Sequence, residues 1–185
     1  KKMKTIRTVT QRQEQLSGMA LGGLGTGSVE IRPNGCLEDW EIFNLGKWAC
    51  TDPKGSHKED LLGYEKNVLP FYVRTRQAGE VVVRKLCHSR DTQGFRSQMY
   101  TFLKNVETIH WTPDFPICHV AYEDPELPVK VEAEFASPFI PHDTRTSGMP
   151  GFYVTFKVTN DSEQEAEVSL LGTLKNPVNR GLENR

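Results

Sequence analysis

The run "LEDWEIFN", residues 37–44, sets three carboxylates (Glu38, Asp39 and Glu41) beside two aromatic residues, Trp40 and Phe43. Such acids are candidates for proton transfer or for gripping a sugar, because an apolar neighbour perturbs the carboxyl and a Trp ring offers a stacking surface. With the two-residue period of a strand, Asp39 shares a face with Leu37 and Phe43, and Trp40 projects from the other. Further acids occur as Glu59/Asp60, Glu123/Asp124/Glu126 and Glu132/Glu134. Cleavage of a glycosidic bond needs two carboxyls about 5–9.5 Å apart. Glu132 and Glu134 would stand ~7 Å apart on one strand, but any solvated face of alternating Glu gives that spacing, so the pair assigns nothing.

Two Cys-His dipeptides, Cys87-His88 and Cys118-His119, pose the question of zinc. Adjacent residues of a strand point to opposite faces, so neither dipeptide offers both side chains to one ion. No metal site and no cofactor is expected. The four cysteines (Cys36, Cys50, Cys87 and Cys118) are scattered and read as free buried thiols, with one or two bridges still open should the protein be exported.

Just before the acidic run lies "GMALGGLGTGS", residues 18–28, with Gly22, Gly23, Gly25 and Gly27 close together. A dinucleotide fingerprint needs glycines at i, i+2 and i+5. Counting from Gly23 the third position is Ser28, and from Gly25 it is Glu30, so both registers fail. The phosphate-cradling loop that ends Gly-Lys-Ser/Thr fails as well, because Ser28 and Val29 come after Gly27. The next residues, "SVEIR", carry a strand pattern rather than a helix N-terminus that could hold an anion. Two readings stay open: a bulged entry into the first strand, or a backbone loop pressed against a ligand or a second domain.

The elements that must position these residues are strands. "VKVEAEF" (129–135) alternates Val129, Val131, Ala133 and Phe135 with Lys130, Glu132 and Glu134; "FYVTFKVT" (152–159) alternates Phe152, Val154, Phe156 and Val158 with polar partners. Residues 71–86 read as a hairpin around "QAGE", and residues 28–43 as another around Pro33-Asn34-Gly35. Further strands are expected in "SQMYTFLKNVETIHW", "FPICHVAYED" and "EAEVSLLGTL", with "IPHDTRTSGMPG" and "NDSEQ" among the loops. Short helices are expected only in "TVTQRQEQL" and "KEDLLGYEK". About eight to ten strands at this spacing, without crossover helices, predict an all-β antiparallel sandwich.

Bulk properties exclude several functions for the 185 residues. Charged residues make up 25% and net charge is −1, so no excess of Lys and Arg marks a nucleic-acid surface. No run approaches the ~20 apolar residues of a membrane span. The opening "KKMKTIRTVT" lacks the apolar core of a signal peptide. A soluble protein is expected, either cytoplasmic or exported with its signal removed.

"GMALGGLGTGSVEIRPNGCLEDWEIFNLGKW" resembles the opening of the N-terminal domain of the non-lysosomal glucosylceramidase (bile-acid β-glucosidase) group, glycoside hydrolase family 116. "VKVEAEFASPFIPHDTRTSGMPGFYVTFKVTNDSEQEAEVSLLGTLKN" is similar to a second hallmark of that domain, in the same order: strand, Ser-Pro-Phe-Ile-Pro-x-Asp loop, strand, "VTN", acidic turn, strand. Residues 50–115 match more loosely.

The resemblance implies a β-sandwich followed by a larger (α/α)6 barrel that carries a Glu nucleophile and an Asp acid/base for retaining hydrolysis of β-glucosides. No family catalytic residue maps onto this chain, which is expected to be inactive alone and to pack on the absent barrel. Thr26, Asp39 and Trp40 are then expected at the rim of its cleft, with the glycines serving backbone packing. The expected division is a 1–17 extension and an 18–185 sandwich that continues beyond the sequence, with the barrel as partner and a β-glucoside or glucosylceramide as substrate. The alternative is a stand-alone carbohydrate-binding module, using the Trp40 and Trp48 region as its platform, or a purely structural sandwich.

Overall fold

The computed structural model describes residues 7–9, 17–41, 47–49, 71–88 and 103–173. Within them run β1 (Arg7–Val9), β2 (Met19–Leu21), β3 (Ser28–Ile31), β4 (Leu37–Glu41), β5 (Lys47–Ala49), β6 (Phe71–Gln77) and β7 (Glu80–Lys85). They are followed by β8 (Thr108–Asp114), β9 (Ile117–Glu123), β10 (Lys130–Ala136), the one-turn helix α1 (Thr144–Ser147), β11 (Tyr153–Thr159) and β12 (Ala166–Gly172). The fold is all-β, as the alternating patterns predict.

Three sheets form, with orders β1-β8-β9-β10-β11, β12-β6-β7 and β2-β3-β4-β5. Every pairing between these strands is antiparallel. The five-stranded sheet turns Ile109, Trp111, Cys118, Val120, Tyr122, Val131, Ala133 and Phe135 inward. Met19, Leu21, Val29, Ile31, Leu37 and Val73 of the two smaller sheets join them in one cluster. Phe71 of β6 bridges the layers, its ring centroid 6.1 Å from Phe135 and 5.0 Å from Phe156. This is a sandwich of antiparallel sheets, and in β10 of the five-stranded sheet one side is buried and the other wet.

Turn chemistry matches the sequence. β6 and β7 join through Ala78-Gly79, both with positive φ (50° and 87°), the twist a two-residue hairpin needs. At the β3–β4 turn the Asn34 side chain accepts from the Cys36 amide at 3.0 Å, and the Asn34 carbonyl accepts from the His88 amide at 2.8 Å. The tip of this hairpin is thereby sewn to the chain leaving β7. Arg84 of β7 makes a second tie: its Nε lies 2.8 Å from Asp124 Oδ2 beyond the end of β9, and its terminal nitrogen 2.6 Å from Glu126.

Some expectations change. Thr8 and Val9, assigned to a short helix, lie in β1, which pairs with β8 from Arg7↔Trp111 to Val9↔Ile109. A segment too short and polar to hold a helix gains more by extending a sheet. The rest of that stretch and "KEDLLGYEK" lie outside the described residues. Cys36, Cys87 and Cys118 are buried thiols outside any disulfide, as read from their scatter, whereas Cys50 lies outside the described residues. Burial pushes the Cys118 thiol up to about 12, leaving it an inert packing group.

Candidate functional site: the loop-built end of the sandwich

The glycine-rich segment connects β2 to β3 at one end of the sandwich, and what presses on it is the chain's own β10–β11 connection. The Leu24 amide donates to the Ser147 carbonyl at 2.7 Å, and the Gly22 amide to Ser137 Oγ at 3.2 Å. A Cβ placed on Gly23 would lie 2.1 Å from the Met149 carbonyl oxygen, well inside any tolerable contact. Thr26 closes the turn, its amide and hydroxyl both donating to the Gly23 carbonyl, at 3.2 and 2.9 Å.

The opposing wall is a tight structure in its own right. Asp143 caps α1: its Oδ1 accepts from the Thr146 amide at 3.0 Å and its Oδ2 from the Thr146 hydroxyl at 2.6 Å. Those bonds, the hydroxyl first and then the amide, hold the Asp143 carboxyl below its ordinary value. Ser147 Oγ donates to the Ile140 carbonyl at 2.9 Å and accepts from the Ile140 amide at 3.0 Å. The Ser137 amide donates to the Pro116 carbonyl at 2.9 Å, which binds in the β8–β9 turn. Three loops are thus locked into one unit.

That unit presents apolar side chains outward. Leu24 is 61% exposed, Ile140 50% and Met149 41%. Phe115, also exposed, packs on Phe139 with centroids 5.2 Å apart. The hydroxyls of Thr26 and Ser147 are spent on the backbone and the carboxylate of Asp143 on the amide and hydroxyl of Thr146, so these three groups serve the loops themselves.

Of the residues expected at a cleft rim, Thr26 belongs to this end and serves as the clasp of the loop. Asp39 and Trp40 lie in β4, whose last residue, Glu41, pairs with Ser28, two positions beyond Thr26. The ladder therefore brings the far end of β4 beside the glycine loop, while the side chains of both residues lie outside the described ones. Among the described side chains of "LEDWEIFN", the acid Glu38 is buried; it accepts from Asn34 Nδ2 at 2.9 Å and lies 3.7 Å from Arg32 Nε.

Sequence reading missed Ser137, Ser147 and Met149 as the partners of the glycines. A signal was present: Asp143 three residues before Thr146, with Gly148 just beyond, is the punctuation of a capped helical turn.

Fold and site define a class: an antiparallel sandwich domain with a hydrogen-bonded, loop-built end that exposes apolar side chains. The chain belongs to the N-terminal domain family of glycosyl hydrolases of family 116. Residues 18–185 match the family model described as beta-glucosidase 2, glycosyl-hydrolase family 116 N-term. Comparison with curated proteins gives no match.

Proposed function

We propose that this chain is the N-terminal, non-catalytic domain of a β-glucosidase, and that its loop-built end packs on and shapes the active-site cleft of a catalytic (α/α)6 barrel in the parent protein. The barrel supplies the Glu nucleophile and the Asp acid/base of a retaining mechanism, and the substrate is a β-glucoside or glucosylceramide. Residues 18–185 form the docking sandwich, residues 1–17 extend it, and Thr26, Asp39 and Trp40 stand where the cleft rim would pass. The observation that carries this reading is the exposure of Leu24, Ile140, Met149 and Phe115 together on loops tied down by hydrogen bonds. Apolar surface on a rigid frame marks a contact with another protein surface.

The test is hydrolysis of an aryl β-glucoside. The 185 residues alone should show no turnover, and the protein joined to its barrel should be active. In the joined protein, Leu24→Asp with Ile140→Asp should lower kcat/KM at least about tenfold by desolvating charge in the interface. Turnover by the isolated chain, or an active joined protein indifferent to both charges, would refute the reading.

A further inference from the structure

The outer face of the five-stranded sheet is hollow. Across β8 to β11 it forms a groove of about 510 Å³, lined by polar side chains and by the chain at Val120, Ala121 and Ala133. Register arranges its walls in rows. One row runs Thr112–His119–Glu134–Thr155 across the four strands, and the next His110–Ala121–Glu132–Lys157. Neighbours in a row are ~4.8 Å apart and the rows are ~7 Å apart along the strands. A third row, Asp114–Ile117–Ala136–Tyr153, adjoins the first on the side of the Phe115-Pro116 turn; past Asp114 it is apolar at Ile117 and Ala136, and Tyr153 is well exposed.

Within the rows each acid is held by one oxygen. His119 Nδ1 lies 3.2 Å from Glu134 Oε1, and Lys157 Nζ lies 3.2 Å from Glu132 Oε2. The second carboxylate oxygen of each pair remains to accept, and the ammonium and the far nitrogen of His119 keep capacity for a ligand. Lys157 offsets the charge of Glu132 within its row, and the partner of Glu134 is an imidazole.

We infer that this face binds a neutral polyhydroxylated ligand, namely a β-linked gluco-oligosaccharide. Vicinal hydroxyls each want a donor and an acceptor, and the two rows alternate them at sheet spacing. A sugar ring also wants an apolar surface against its C–H face, which Tyr153 and Ile117 supply at the edge. Four strands span ~14 Å, enough for about two or three hexose units. The choice of sugar rests on the proposed β-glucosidase membership, and the site is distinct from the docking end.

The probe is cellotetraose, titrated into the full chain and followed by amide chemical shifts. The expected result is saturable shifts confined to the outward positions of β8 to β11. Glu134→Gln and Tyr153→Ala should each weaken binding at least about tenfold. Both positions are solvent-exposed, so circular dichroism should show an intact fold. Leu24→Asp should leave the affinity unchanged, which separates this site from the docking surface. Absence of saturation at millimolar sugar, shifts centred on the loop end, or variants that bind like the parent would overturn the inference while leaving the docking role standing. Saturable binding by an isolated chain that also hydrolyses the glucoside would overturn the docking role and leave this site intact.

Discussion

Substituting alanine at Gly23 tests the central geometry of the loop-built end. The new methyl would meet backbone atoms, the Met149 oxygen at 2.1 Å and its carbonyl carbon at 2.8 Å, as well as Thr26 Oγ1 at 2.9 Å. Backbone cannot swing aside as a flexible side chain would. To restore ordinary contact the two loops must part by about 1 Å. That parting breaks the 2.7 Å bond from Leu24 to Ser147 and weakens the 3.2 Å bond from Gly22 to Ser137. Two partly buried hydrogen bonds at about 1 kcal/mol each, plus residual overpacking, come to about 2–3 kcal/mol. For a domain of this size the melting temperature should fall by about 4–12 °C.

Gly25 is the control. It has φ +74° and nothing within 4 Å of a built Cβ, so alanine there costs only the left-handed conformation, about 1–2 kcal/mol. Thermal unfolding followed by circular dichroism reads the stability, and hydrogen exchange at the Leu24 amide reads the mechanism. Gly23→Ala should lose protection at Leu24, whereas Gly25→Ala should keep it. A Gly23→Ala melting temperature within about a degree of the parent, or a Leu24 amide still protected in it, would refute the clamp.

Buried charge gives two further expected outcomes. Arg84→Ala strips the cation from Asp124, whose side chain is as buried as its own, and should destabilise by about 3–5 kcal/mol in urea unfolding. Burial works against the Arg84 charge, but Asp124 and Glu126 outweigh it and hold the guanidinium above its ordinary value. His88 is buried, and desolvation lowers its pKa from 6.5 despite a hydrogen bond to the Val106 backbone. The unfolded chain then binds the proton more tightly, so stability should decline as pH drops below about 6.5, by at most ~1.4 kcal/mol per pH unit. His88→Gln should remove that slope between pH 7 and the folded pKa, and an unchanged slope would absolve His88.

The strands were legible wherever one face is buried and the other wet. Val131, Ala133 and Phe135 lie inward and Lys130, Glu132 and Glu134 outward, because a one-residue slip would expose the whole apolar set. The Asn34-Gly35 turn was legible through local chemistry. What escaped depended on contacts distant in sequence. Thr8 and Val9 are strand only because Trp111 and its neighbours offer an edge. The glycines revealed that backbone must approach something, but that it is Met149, over a hundred positions on, is a property of the assembled fold. Alternation set Glu38 on the opposite face from Leu37, yet it is buried because Arg32 and Asn34 enclose it there. The outward side of β10, with Glu132 and Glu134, was read as an ordinary solvated face, since the hollow arises from the shape of a sheet and leaves no mark in a single strand.

The closing partner of β6 is β12, with Gly172 beside Phe71, so the two halves of that ladder are about a hundred residues apart in the chain. During synthesis the β6–β7 hairpin must wait, with one row of amides and carbonyls unmet, until the ribosome has released the whole five-stranded sheet and β12 after it. An unmet row of that kind is a template for a neighbouring chain. The late-made strand is thus the latch of the domain.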